Sequence, residues 1–271
     1  MKSKSLVLSG AAVLFLAAAI PCYAGKIVVE GSTTVLPIAQ RAAEVFMNNN
    51  SQAEISVRGG GSGVGIASLL AGTCDIADSS RPIKEKELED AVSRGKDPKA
   101  NVIAMDGIAV IVHSSNSVKA LTKKQLKDIY TGKISSWQAV GGGSEQIVVV
   151  SRDSSSGTFE AFGELALDKE KVRQDALMEA SNQAVASVVA KTPGAIGYVG
   201  IGYIGESVKA LELNNVYPSK ETVLRNRYPL SRPLFMYTNG KPSGDCKAFI
   251  DFIQSKEGQA LVEKEGYVPL G

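Results

Sequence analysis

The sequence is poor in the residues from which metal centres, redox sites and nucleophile–base pairs are built. Its 271 residues include one histidine, one tryptophan and three cysteines. A single imidazole, His113, with cysteines as scattered as Cys22, Cys74 and Cys246, offers no zinc or haem spacing, so no metal or cofactor is expected. Two cysteines beyond Cys22 do not make a disulfide scaffold. Cys74 and Cys246 either pair in an oxidising compartment or remain buried thiols. Nucleotide and hydrolase signatures are missing as well. Residues 59–65 lack G-x-G-x-x-G spacing, Gly132-Lys133-Ile134 lacks the closing hydroxyl of a P-loop, and Ser62 is not centred in G-x-S-x-G. Charge of one sign is scarce too. The formal +2 comes from Lys2 and Lys4, and residues 25–271 carry 28 basic against 28 acidic groups. Nothing here reads as a nucleic-acid or membrane patch. Internal repeats and low-complexity segments are also missing.

One long uncharged apolar run is present, and it lies at the N-terminus. Lys2 and Lys4 precede Leu6 to Ile20, and Cys22-Tyr23-Ala24 supplies small residues for cleavage before Gly25. That order predicts a secretory signal peptide over residues 1–24 and a periplasmic destination. The run falls short of the roughly 20 residues a spanning helix needs. Lipid attachment at Cys22 is the alternative, and Pro21 stands where a lipoprotein signal takes Gly or Ala.

The rest alternates short β-branched runs with amphipathic stretches, the pattern of an α/β fold with a largely parallel sheet. Strands are expected at Lys26–Glu30, Glu54–Arg58, Asp75–Ser79, Val102–Val112, Gln146–Val150, Ala195–Val199 and Pro233–Thr238. Helices are expected around Leu36–Phe46 and Val64–Ala71, at Leu88–Val92, after the Thr122–Gln125 capping box, around Phe159–Leu165 and Val185–Val189, and between Cys246 and Glu265. Chain crossings near Val112 and Pro233 suggest two lobes, residues 25–112 with 234–271, and residues 113–233, hinged at the crossings.

Four of the strand-to-helix turns share a composition. They are Gly31-Ser32-Thr33-Thr34, the glycine run 59–65 with Ser62 and Gly63, Ser79-Ser80-Arg81-Pro82, and Ser154 to Thr158 with Ser156 and Gly157, preceded by Arg152. Helix N-termini present unpaired N–H groups and a partial positive charge, and ligands of open α/β sheets sit beyond the carboxyl ends of strands. Singly, each turn is ordinary capping chemistry. Together they form one donor-rich crevice, and Arg152 adds a guanidinium that grips two oxyanion oxygens at once.

These residues resemble the phosphate-binding proteins of ABC transporters. Gly31-Ser32-Thr33-Thr34, Gly60-Gly61-Ser62-Gly63, Ser79-Ser80-Arg81-Pro82 and Arg152 with Ser156-Gly157-Thr158 follow that family's order. Pro193-Gly194-Ala195-Ile196-Gly197-Tyr198 and Ile129 to Trp137 are similar to further stretches of it. The resemblance implies a two-lobe periplasmic-binding fold, with each lobe a β-sheet flanked by helices. A monomer would capture phosphate between the lobes and deliver it to an inner-membrane permease. It also implies that Thr33, Thr34, Ser62, Arg152, Ser156, Gly157 and Thr158 hold the anion. In family members an aspartate after the third strand accepts the proton of hydrogen phosphate. Ser80 takes that place here, with Asp78 two residues earlier and Arg81 beside it. A serine does not repel sulfate, so other oxyanions (sulfate, molybdate, tungstate) form the alternative. A secreted hydrolase using Ser156 or Ser62 would need a base, and His113 lies outside all four turns. An adhesion or sensing module on the same fold is a further alternative.

Overall fold

The computed structural model describes residues 25–270. The expected signal segment and Cys22 lie outside them. Through the first half the β-branched runs and helical stretches alternate as β1 (Lys26–Gly31), α1 (Leu36–Asn49), β2 (Glu54–Gly59), α2 (Ser62–Ala71), β3 (Ile76–Ser79), α3 (Glu85–Ser93) and the long β4 (Pro98–His113). Then follow β5 (Ala120–Leu121), α4 (Lys123–Tyr130), β6 (Val148–Arg152), α5 (Gly157–Leu165), β7 (Leu177–Glu179), α6 (Asn182–Lys191) and β8 (Ala195–Gly200). The chain ends with β9 (Val208–Ala210), β10 (Glu212–Leu213), α7 (Lys220–Leu224), β11 (Ser231–Asn239), α8 (Gly244–Gln254) and α9 (Lys256–Lys264).

The main sheet runs β2-β1-β3-β11-β4-β8-β6-β7. β1 pairs in parallel with β2 and β3, and β6 pairs in parallel with β8 and β7. Between these parallel groups, β11 and β4 run antiparallel to their neighbours, so the sheet is mixed rather than largely parallel. β4 changes partner along its length. Pro98 to Gly107 face β11, and Ile108 to Val112 face β8. β11 starts opposite Gly107 at Ser231, and the register shifts between Leu234 and Phe235, where β4 holds the extra residue Ile103. Strands buried on both faces lose the alternation of polar and apolar residues. Ile108 to Val112 accordingly read as one apolar run with every side chain inside.

On one side of the crossing, Ile38, Ala39, Ala42, Ala43 and Phe46 recur at helical spacing, which turns one face of α1 onto the sheet. Phe46 meets Phe249 of α8 edge-on at 5.6 Å between ring centres. On the other side, Phe162 of α5 stacks on Tyr198 of β8 at 3.9 Å, with Tyr130 of α4 against both. Burying each such ring is worth about 1.5–3 kcal/mol over leaving it exposed. Local signals hold as well. Thr122 and Gln125 form the expected capping box, and Gly72 ends α2 in the left-handed conformation. α3 forms, yet of Leu88, Ala91 and Val92 only Ala91 is buried, and Val92 is 76% exposed. Both cysteines of the described residues are free thiols, and burial pushes Cys74 up to about 12 and Cys246 up to about 11. The consequence for function is positional: β1, β2 and β3, parallel to one another, and β6, which runs opposite to them beyond the antiparallel β11 and β4, each end on one of the four serine- and glycine-rich turns.

Candidate anion-binding cleft

From the first half of the sheet come three turns. Ser32 Oγ accepts the backbone N–H of Thr34 at 3.1 Å, which leaves Thr33 and Thr34 leading into α1, both buried. Ser62 is the first residue of α2, and its Oγ accepts the N–H of Ser80 at 3.0 Å. Ser80 Oγ lies 3.4 Å from Ser62 Oγ, so the turns after β2 and β3 are tied together.

The fourth turn comes from the other half. Arg152 ends β6 only 1% exposed. Its Nε donates to the carbonyl of Glu179 at 2.9 Å and its Nη2 to that of Ala180 at 3.0 Å. No carboxylate among the described residues lies within ion-pair distance of it, Asp153 included. Carbonyl dipoles hold the fork in place without neutralising its charge. Ser156 caps α5 by accepting the N–H of Phe159 at 3.2 Å, and Gly157 and Thr158 open the helix.

The two sets meet face to face. Thr34 Oγ1 stands 2.9 Å from Thr158 Oγ1. The N–H of Gly63 donates to the carbonyl of Ser155 at 2.9 Å, and Ser155 Oγ donates to the carbonyl of Gly60 at 3.0 Å. Glycine is required at this seam. A Cβ on Gly157 would collide with Ser62 Oγ and lie 2.9 Å from Ser80 Oγ. Gly61, at φ +98°, would drive a Cβ to 2.6 Å from the carbonyl oxygen of Ser155.

Four residues outside the predicted set complete the cleft. Arg232, from the start of β11, pairs with Asp106 of β4 through Nη2 at 2.8 Å and Nε at 3.0 Å, and both are buried. The same guanidinium donates to the carbonyl of Ser80 at 3.0 Å and to Thr158 Oγ1 at 3.0 Å, so it touches turns from both halves. Asn182, the first residue of α6, donates through Nδ2 to Thr33 Oγ1 and Thr34 Oγ1, each at 3.0 Å. Tyr203 Oη donates to the carbonyl of Thr33 at 2.7 Å. Burial pushes the Asp106 carboxyl up against the pull of Arg232, and it pushes Tyr198 and Tyr203 up to about 12.

Arg81 and Asp78 sit differently. Arg81 forks onto Glu87 at 2.7 and 2.8 Å and meets Glu160 of α5 at 2.5 Å, a charge contact across the seam that Lys84 shares at 2.8 Å. Burial would lower the Arg81 pKa, but the Glu87 bond and the charges of Glu160 and Glu87 outweigh it and raise it. Asp78 is 1% exposed, neither carboxylate oxygen has a hydrogen-bond partner, and burial alone pushes it well above the ordinary carboxylate range. It pairs with Met236 across β11 and belongs to the face of the sheet opposite Ser79.

Comparison with known proteins decides the family. A family model described as a PBP superfamily domain matches residues 17–257. The phosphate-binding protein PstS of Bacillus subtilis is 36% identical over 251 residues, spanning 91% of this chain and 81% of that protein. The chain belongs to the PBP superfamily, among the PstS phosphate-binding proteins. PstS of Staphylococcus epidermidis is 37% identical over 253 residues, covering 88% of this chain and 77% of its own. Among solved structures, a Clostridium perfringens protein assigned to phosphate ABC transport, with phosphate bound, superposes with a TM-score of 0.86 at 36% identity, over 91% of this chain and all of that one. An ABC-type phosphate transport receptor from Vibrio cholerae gives a TM-score of 0.74 at 32% identity, over 90% and 100% of the two chains. The fold is therefore the two-lobe PBP architecture. Within this PBP cleft, Thr33, Thr34, Ser62, Ser80, Arg152, Ser156, Gly157 and Thr158 lie around one seam. Ser32 is turned to capping, the Gly63 N–H to Ser155, and Arg81 to two carboxylates.

Proposed function

We infer that this chain is the extracytoplasmic binding component of an ABC transporter, which captures phosphate between its two lobes and hands it to the permease. The carrying observation is Arg152. A buried guanidinium without a carboxylate is costly unless an anion joins it, and here it ends the strand that leads into the capped N-terminus of α5, whose Thr158 meets Thr34 across the seam. Thr33, Thr34, Ser62, Ser80, Arg152, Ser156, Gly157 and Thr158 are the ligand set. Binding is the whole task, with no turnover: the one imidazole of the chain, His113, bonds Ser115 Oγ at 2.7 Å rather than a turn serine. The lobes are residues 25–112 with 234–271, and 113–233. The change of partner in β4 at Gly107–Ile108 supports a hinge close to that division. The protein acts as a periplasmic monomer after cleavage near Ala24, without cofactor or nucleic acid. No helix of the described residues is long and apolar enough to cross a membrane.

Ser80 in place of an aspartate favours one second reading, a site open to sulfate, molybdate or tungstate as well. Calorimetry on residues 25–271 with these anions and phosphate separates the cases. Phosphate heat is expected, and silence with all four would overturn the binding reading.

A further inference from the structure

The chain leaves β8 through Gly200 and a 3-10 turn, Ile201–Tyr203. By the division proposed above, this segment belongs with residues 113–233. It nevertheless lies against residues of the other lobe at every step. A Cβ on Gly200 would stand 2.8 Å from the Thr34 methyl and 3.1 Å from Asp106 Oδ1. The Ile201 N–H donates to Asp106 Oδ1 at 3.1 Å. A Cβ on Gly202 would collide with Cε2 of Tyr267, lie 2.6 Å from its Cζ and 2.7 Å from the carbonyl oxygen of Glu265. Tyr203 Oη donates to the carbonyl of Thr33 at 2.7 Å. Two glycines, one residue apart, thus let this backbone bear directly on the other lobe.

Tyr267 is held from its own side. Met105 and Val268 exchange backbone hydrogen bonds at 2.8 and 3.0 Å in an antiparallel bridge, which sets Tyr267 opposite Asp106 of β4. The tyrosine is fully buried, and its hydroxyl has no hydrogen-bond partner among the described residues. Arg232 donates to Asp106 Oδ2 and the Ile201 N–H to Oδ1, so the nearby carboxylate is already served. The turn at Gly202 covers the ring carbon that carries the hydroxyl. The two tyrosines are opposites in energy. Tyr203 makes a bond that exists only while the segment lies on Thr33. Tyr267 has lost water and gained no partner, a cost that ends when the segment lifts and water reaches it.

We propose that Tyr203 and Tyr267 are positioning residues that set how readily the cleft opens. Tyr203 holds the closed form, and the unmet hydroxyl of Tyr267 weakens it, across the bearing at Gly202. The proposal rests on the two-lobe binding reading above. Neither side chain belongs to the ligand set, so both act on the anion through the Thr33-Thr34 turn and through closure. A protein that must deliver its ligand needs the opposing contribution, because a group that tightens closure also slows release.

The experiment uses residues 25–271 and inorganic phosphate, with affinity from calorimetry and the off-rate from chasing bound radiolabelled phosphate with unlabelled. Tyr203→Phe removes the bond to Thr33 and is expected to raise both Kd and off-rate about fivefold. Tyr267→Phe removes only the orphan hydroxyl and is expected to lower both about fivefold, a gain that a purely structural residue would not give. Gly202→Ala is expected to raise Kd at least about tenfold and to leave the phosphate-loaded protein more extended in small-angle X-ray scattering. No phosphate heat from wild type would overturn the binding reading itself. Where wild type binds, an unchanged or weakened Tyr267→Phe, or an unchanged Tyr203→Phe, would overturn this proposal alone. Both phenylalanine variants keep the packed ring, so they decide the question even if Gly202→Ala fails to fold.

Discussion

Arg81 lies two residues past the end of β3 and Arg152 is the last residue of β6, and both are buried. Their surroundings make them opposites. Arg81 is saturated by Glu87 and Glu160, whereas Arg152 is gripped by the carbonyls of Glu179 and Ala180, which leave its charge unspent. Burial, joined by the charge of Arg232, lowers the Arg152 pKa against the pull of Tyr198, Asp153 and Tyr203. The difference shows that a guanidinium in a cleft is read by its partners. Arg81 ties the turn after β3 to α5, and Arg152 keeps the charge that the proposed anion would meet.

The sharpest test of the contrast substitutes each in turn. Arg152→Ala is expected to weaken phosphate binding at least about 100-fold, through lost charge-assisted hydrogen bonds. Arg81→Ala should cost no more than about a few-fold by calorimetry, its charge being already neutralised. Equal losses would erase the distinction. A smaller effect comes from restoring an acceptor beside Arg81. Ser80→Asp is expected to raise the preference for phosphate over sulfate about tenfold, measured by competition, because a carboxylate rewards the phosphate proton and repels sulfate. The smallest effect concerns stability. Burial would raise the Glu87 pKa, yet the Arg81 bond, the Lys84 N–H and both cations lower it overall. A depressed carboxylate stabilises the fold above its ordinary pKa and loses that contribution as pH falls through the folded value. Acid thermal melts of Glu87→Gln should show a flatter acid limb, with a Tm difference of no more than about 4 °C.

The strands and helices that bury a face were legible because periodicity reports burial directly: α1, β4 and β8 lie within a few residues of their expected bounds. The two-residue pairs β5 and β10 carry no such signal, since tertiary contact creates them. Within the cleft, the hydroxyl turns were readable from composition. Arg232 and Asp106 were not, because each is a lone charge in an apolar strand and their pairing spans 126 positions. The one hint was their opposite signs on the two strands expected to cross. Asn182 was hidden for another reason: beside the Ser181 cap it looks like routine helix-start chemistry.

The sixteen residues of β4 belong to both halves of the sheet, pairing first with β11 and then with β8. Neither lobe thus owns a complete set of strands, and a cut at the crossing would leave both with an unpaired edge. At the hinge proposed above the molecule would bend as two bodies and yet unfold as one, because motion and cooperative stability would both pass through β4.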